Sequence, residues 1–413
     1  MIKKVKVEDL TPGMYVHDFN CGWIENPFFQ RSILLKDDKM IMKVVDQGIR
    51  ELYIDTEKGK DAKTSRPAEE VKKELQDELK KVAEKKPGVE PRVNYAEEFA
   101  EAKKVETEAR KIIHEVMDDV RLGKQIEVEK VAPVVEKITD SILHNKDALI
   151  CLARLKQANE YTFQHSVSVC ALMVSFSRAL GHDRAATNEI GVGALLHDVG
   201  KMKVPEAILN KETQLSENEF GLMKSHVIHS SLILSRTPGI SKAGIDVAGQ
   251  HHERYDGTGY PHGLKGDEIS PYGQMAAIVD VYDAITSDRC YHKGMEVADA
   301  LRKLFEWGKF HFNNELVHAY IRTVGIYPVG SLVKMESGLL GVVAESNPGS
   351  LMVPVVRMVY DTNKERRLEP YYVDLSKPFG RGGADAIVCH ESPHKWGINT
   401  MDYLDVDIDV LTK

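Results

Sequence analysis

The sequence predicts a mainly α protein: a small α/β unit at residues 1–58, a charged helical linker at 59–147, an all-helical bundle at 148–326 and a short β-rich extension at 327–413. Three observations predict it. Apolar residues recur at helical spacing over most of the span from Val71 to Ile326. Short apolar runs broken by Gly, Pro and Asn turns are confined to the two ends. Eight of the 16 histidines crowd between His165 and His262, on the ends of helices.

With 413 residues, 42% of them hydrophobic and 29% charged, the chain is long enough for two or three domains with buried cores. No apolar run approaches bilayer length, and Met1-Ile-Lys-Lys-Val lacks the apolar core of a secretory signal, so the cytoplasm and no membrane partner are expected. Cys21, Cys151, Cys170, Cys290 and Cys389 are scattered, with no C-x-x-C, which fits reduced thiols and excludes a zinc ribbon. A formal charge of −8 argues against a nucleic-acid polymer as partner but leaves room for a local basic pocket.

In the N-terminal unit, Val5-Lys-Val-Glu, Met14-Tyr-Val-His-Asp and Ser32-Ile-Leu-Leu read as strands. A helix follows over Asp37 to Gln47, stopped by Gly48, and then a strand Glu51–Asp55. No catalytic grouping occurs in it, which suits an accessory or regulatory module. Val71, Leu75, Leu79 and Val82 then mark one stripe of an amphipathic helix between Pro67 and Pro87. Two longer helices are expected over Tyr95–Leu122 and Glu127–Leu143, with Pro133 as a candidate kink point. Their faces suit either a homodimer interface or an ordinary core.

The bundle carries the chemistry. The apolar helical run Gly193-Ala-Leu-Leu-His-Asp-Val-Gly-Lys201 ends in His197 and Asp198 side by side. Neighbours on a helix differ by about 100°, so both reach one point only near a helix edge, where a cation could sit between them. Lys201, one turn on, shares that face. A hydrogen-bonded His–Asp couple is the plainer alternative. His165 lies on the inner side of a helix beginning near Tyr161, and His226 lies on a helix over Ser216–Leu234. His251-His252 end another helix, and Asp280 is embedded among Ile278, Val279 and Val281, where a carboxylate must be paired or metal-bound. Each has a bland reading on its own. Five histidines and two aspartates on consecutive helix ends of one domain do not.

The order His165, His197-Asp198, His226, His251-His252, Asp280, with the loop His252-Glu-Arg-Tyr-Asp-Gly-Thr-Gly-Tyr-Pro261, resembles the HD-GYP family, bacterial phosphodiesterases within the HD superfamily of metal-dependent phosphohydrolases. The likeness covers about residues 148–326, and residues 1 to about 140 look like the accessory N-terminal domain of undefined function that often precedes it. It implies an HD-type helical bundle cutting cyclic di-GMP to linear pGpG and on to GMP. By the same resemblance one metal takes His165, His197, Asp198 and Asp280, the second takes His226, His251 and His252, and Asp198 bridges. Seven donors are too many for one ion but suit two, and imidazole-rich ligation suits iron or manganese. A hydroxide held between them would attack phosphorus, with Asp198 and Lys201 as the catalytic groups and Lys201 stabilising a non-bridging oxygen.

Two departures matter. Some members place a glutamate one turn before the first histidine to hold a third metal; here Tyr161, a poor ligand at neutral pH, occupies that position, so two metals are expected. The family pattern also has two cations gripping substrate beyond Ser287. Arg289 matches the first and His292 takes the place of the second, with Lys293 as a substitute, which admits 3′,3′-cyclic GMP-AMP as the substrate. Asp256, Gly257, Gly259, Tyr260 and Pro261 form either a rigid turn supporting His251-His252 or a docking site, which the family links to cyclic di-GMP synthase (GGDEF) domains. A catalytically silent cyclic-dinucleotide receptor and another HD phosphohydrolase acting on nucleotides are the competing classes. After Tyr327, strands return, and His390, Glu391 and His394 read as surface residues outside the site.

Overall fold

A computed structural model of the chain describes residues 1–404 apart from 22–27, 29–31, 85–92, 94, 154–160, 212, 214, 288–293, 348 and 378–383. Strands β1 (Ile2–Lys6), β2 (Tyr15–Asp18), β3 (Ile33–Leu34), β4 (Glu51–Asp55) and β5 (Arg66–Pro67) make an antiparallel sheet in the order β3-β2-β4-β1-β5. One helix, α1 (Asp38–Asp46), lies against it. The Asp37 side chain accepts from Met40 N–H to start α1, and Gly48, at φ +72°, lets the chain leave it. Val5, Val16, Leu35, Val44, Leu52 and Ile54 close a core of their own. The first strand begins earlier than its apolar pattern suggests, because Val7–Asp9 turn into a 3₁₀ helix. The expected boundary at 58 falls short of β5, which pairs with β1 through Lys3 and Lys4.

Everything after that sheet shares one continuous core, from Val71 to Leu404. Helix α2 (Ala68–Ala83) buries Val71, Leu75, Leu79 and Ala83. Helices α3 (Tyr95–Arg121) and α4 (Val128–Ala153) pack on each other and on α5 (Tyr161–Ala179), so they belong to the bundle rather than to a solvated linker. Pro133 leaves α4 helical; the backbone departs from helix at Asn145 (φ −157°, ψ 97°), whose amide donates to Val93 O. The bundle continues with α6 (Arg184–Leu195), a 3₁₀ turn Val199–Lys203, α7 (Glu206–Leu209), α8 (Glu217–Ser235), α9 (Lys242–Gln250), α10 (Pro271–Thr286), α11 (Val297–Trp307) and α12 (Asn314–Val324). Ser216 and Glu219 form a reciprocal cap at the start of α8.

A second antiparallel sheet follows, of β6 (Leu332–Met335), β7 (Leu339–Glu345), β8 (Val355–Asp361), β9 (Arg366–Asp374) and β10 (Ile387–His390), ordered β10-β6-β7-β8-β9. The chain is thus mainly α with a small sheet at each end. Among the described residues no helix is long and apolar enough to cross a membrane.

Candidate metal centre

Two close backbone crossings bring the helix ends together. A Cβ on Gly193 of α6 would lie 2.4 Å from Gly244 Cα of α9, so the glycine at 193 allows these helices to meet there. A Cβ on Gly200 would lie 2.0 Å from His226 O, so the turn after Asp198 sits directly on α8. As a result the His197 and His251 ring centroids are 4.9 Å apart and those of His226 and His251 are 5.5 Å apart.

All seven predicted donors face one interior point. Asp198 straddles it: Oδ2 is 3.5 Å from His165 Nε2 and 3.3 Å from His197 Nε2, while Oδ1 is 3.3 Å from His226 Nε2 and 3.9 Å from His251 Nε2. Asp280, 5% exposed, places Oδ1 3.1 Å from His165 Nε2 and Oδ2 3.6 Å from His252 Nδ1. Donor atoms of His165, His197 and Asp280 lie within 4.8 Å of one another, as do those of His226, His251 and His252, and those of His197, Asp198 and His251. Lys201 Nζ donates to Asp198 Oδ2 at 2.5 Å.

Hydrogen bonds to the backbone fix the tautomers. Nδ1 of His197, His226 and His251 lies 2.7, 2.7 and 2.9 Å from the carbonyl oxygens of Ala194, Met223 and Ala248, each three residues earlier. A carbonyl can only accept, so Nδ1 carries the proton and Nε2 turns a lone pair inward. His226 Nε2 and His251 Nε2 then face each other at 3.4 Å with no hydrogen between them. His197 Nε2 and Asp198 Oδ1 are buried without any hydrogen-bond partner. Such atoms are costly to leave bare, and a divalent cation would satisfy all of them. Burial pushes His226 down to about 4 and His251 to about 3, and it also drives His252 well below its usual range. These rings are therefore neutral at pH 7, the form that ligates. For Asp198 burial acts upward, but Lys201 and His197 outweigh it and hold the carboxyl well below its ordinary range; His165 and His252 do the same for Asp280.

The loop after α9 supports this wall. The Tyr260 ring stacks on His252 at 4.7 Å, and its N–H donates to His252 O. Buried Glu253 accepts from the N–H groups of His262 and Leu264, which folds the loop back. Gly257 has φ +84°, and a Cβ on Gly259 would lie 2.3 Å from Arg254 N. Asp256 accepts from Thr258 and pairs with His311 at 3.2 Å. Pro261 follows Tyr260 at the exit of the loop. Arg289, His292 and Lys293 lie outside the described residues. His390 and Glu391 are engaged elsewhere, with Ile326 O and with Lys395 and Trp396.

Sequence reasoning missed Asp283. Its Oδ2 lies 2.6 Å from His165 Nδ1, and the only signal was a second aspartate one turn after Asp280.

Comparison with known proteins gives two family matches: an HD domain over residues 148–316 and a domain of unknown function (DUF3391) over residues 2–131. A cyclic di-GMP phosphodiesterase of Pseudomonas aeruginosa is 37% identical over 403 residues, covering 97% of this chain and 95% of that protein. A cyclic di-GMP phosphodiesterase of Thermotoga maritima is 35% identical over 173 residues, 41% of this chain and 47% of its own length. A 3′3′-cGAMP-specific phosphodiesterase of Vibrio cholerae is 36% identical over 143 residues, 35% of this chain and 33% of its own.

Proposed function

The chain belongs to the HD-GYP family of metal-dependent cyclic-dinucleotide phosphodiesterases, with an accessory N-terminal domain of undefined function, and from that premise we propose that it hydrolyses cyclic di-GMP to linear pGpG. The observation that carries this reading is Asp198, whose two oxygens face two separate sets of histidine nitrogens. Two divalent ions, iron or manganese, would be held by His165, His197 and Asp280 on one side and by His226, His251 and His252 on the other, with Asp198 shared. When bound, they supply an activated water and offset charge on the phosphoryl oxygens.

The chain's own groups do the rest. Asp198 orients both ligand sets, and Lys201, already beside it, turns to a non-bridging phosphoryl oxygen. Arg289, His292 and Lys293 grip the dinucleotide. Tyr260 keeps the His252 ring in place. The same proposal includes docking of a GGDEF domain on the Asp256–Pro261 loop, a homodimer through the N-terminal helical region, and a cytoplasmic site of action.

A second reading, hydrolysis of 3′,3′-cyclic GMP-AMP, is favoured by one feature: His292 stands where the family pattern has a second cation. One assay decides between them. Metal-loaded protein is incubated with cyclic di-GMP, cyclic GMP-AMP and dGTP, beside Asp198→Ala. Cyclic di-GMP should be cut fastest and dGTP not at all. Asp198→Ala should lose on the order of 10³-fold or more in rate, since several kcal/mol of charge stabilisation go with the ions. Turnover of neither cyclic substrate would turn the reading to a silent receptor.

A further inference from the structure

We propose that Asp283 is a positioning residue that makes the two cation positions unequal, so that the position beside His165 fills first and binds more tightly. This rests on the two-cation reading above. His197, His226 and His251 each hold Nδ1 on a neutral backbone carbonyl. His165 instead holds Nδ1 2.6 Å from a buried carboxylate, Asp283 Oδ2. His252 Nδ1 has Asp280 Oδ2 at 3.6 Å, too far for a hydrogen bond.

Asp280 and Asp283 stand one turn apart on α10 and take opposite edges of the same ring: Asp280 Oδ1 lies 3.1 Å from Nε2 and Asp283 Oδ2 lies 2.6 Å from Nδ1. A neutral imidazole has one N–H, and the shorter contact takes it. Nε2 is then left with its lone pair toward the centre, and Asp280 is free to ligate. A carboxylate behind an imidazole also makes the ring a stronger donor than a carbonyl does. The charges are unequal in the same sense. The His165 side gathers Asp280 Oδ1, Asp283 and Oδ2 of Asp198, the last already held by Lys201, whereas the side of His226, His251 and His252 has Oδ1 of Asp198 and only the more distant Asp280 Oδ2, so Asp283 is the carboxylate that the second side lacks. A dication settles first where the negative charge is greater.

The test is calorimetric titration of Mn²⁺ into chelator-stripped full-length protein, with metal content measured in parallel. The unaltered chain should show two unequal steps. Asp283→Ala should weaken the tighter step by about 10- to 100-fold and leave the weaker one unchanged. Asp283→Asn, which keeps an acceptor of the same shape without the charge, should fall between them. His165→Gln should remove the step that Asp283→Ala weakens. If Asp283 only packs, both variants lower the melting temperature and keep the wild-type binding constants, and the inference is overturned. It is equally overturned if the weaker step is the one that moves. Should Asp283→Ala fail to fold, the isosteric Asp283→Asn decides alone. A wild-type chain binding a single Mn²⁺ would refute the two-cation reading, and the shift or constancy of that one constant would still decide the role of Asp283.

Discussion

Where the N-terminal sheet meets α11, Lys4 Nζ lies 2.5 Å from Glu51 and 2.9 Å from Glu306, and Tyr53 donates to the same Glu306 oxygen at 2.9 Å. At the centre of the bundle, three buried carboxylates, Asp198, Asp280 and Asp283, have Lys201 and five imidazoles around them, and His197 Nε2 and Asp198 Oδ1 make no hydrogen bond. Both clusters are ionic; the first is partly buried, around buried Glu306, and the second lies deep in the bundle. The first closes on itself, with Lys4 between its two carboxylates and the Tyr53 hydroxyl on one of them. The second leaves lone pairs pointed at one another, an arrangement that folding alone would select against. Buried charge by itself therefore does not mark a site; what marks it is buried charge left open toward a common point.

That contrast can be broken by removing one charge from the closed cluster. Glu306→Ala leaves Lys4 with Glu51 alone and takes the acceptor from the Tyr53 hydroxyl, and a polar group left without its partner away from water costs about 1–3 kcal/mol. A chemical denaturation curve should show a loss of that size, with Mn²⁺ stoichiometry and turnover per folded molecule unchanged. Asp198→Ala should instead abolish turnover and metal binding. Loss of metal binding in folded Glu306→Ala would show that the two clusters are not independent.

Acid should separate the same two regions as well. In the metal-free chain, burial holds His226 near 4 and His251 near 3, below the usual value of 6.5, and depresses His252 as well. The unfolded chain then binds protons that the folded chain refuses, so stability is fully present above pH 6.5 and falls as pH drops toward 4. The slope is about 1.4 kcal/mol per pH unit for each such histidine. His197 works against this: burial lowers it, but Asp198 outweighs burial and raises it, so its contribution is present below 6.5 and is lost as pH rises. Three depressed rings outnumber one raised ring, and the net slope is positive. In the closed cluster burial lowers Lys4, but Glu306 and Glu51 outweigh it and raise it above 10.5, so that cluster stays flat over this range. Urea unfolding in chelator from pH 7.5 to 4.5 checks the sign, and His251→Gln should flatten the curve. An unchanged slope in that variant would place the acid sensitivity elsewhere.

How much of this was legible depends on whether a residue's partner is near it in sequence. The Asp37 cap, the Gly48 stop and the stripe of Val71, Leu75 and Leu79 are local and read directly. The seven donors read because imidazoles and carboxylates on apolar helix ends are rare. Asp283 did not, since its meaning comes from His165, 118 residues earlier. Gly193 and Gly200 likewise look ordinary until the opposing backbone is known. The break at Asn145 has no proline or glycine to announce it. Helical spacing showed that α2 and α3 bury one face, but not that this face joins the bundle core.

The smallest expected effect lies at the rim of the closed cluster. Lys303 Nζ is 3.2 Å from Asp18, with 17% and 45% of the side chains exposed, and it also lies 5.7 Å from the centroid of the Trp307 ring. Trp307 Nε1 donates to Asn20 O at 2.8 Å, so the sheet is already tied to α11 beside this pair. A pair so open to water contributes roughly 0.2–1 kcal/mol and is screened by salt. Asp18→Asn, which keeps the oxygen that accepts from Asn20 N–H, should therefore shift the denaturation midpoint slightly in dilute buffer and not measurably in 1 M salt, because the lysine stem keeps its place on the indole. A loss approaching that of Glu306→Ala, or one that persists in salt, would mean that the exposed rim rather than the buried Lys4–Glu306 pair holds the accessory domain in place.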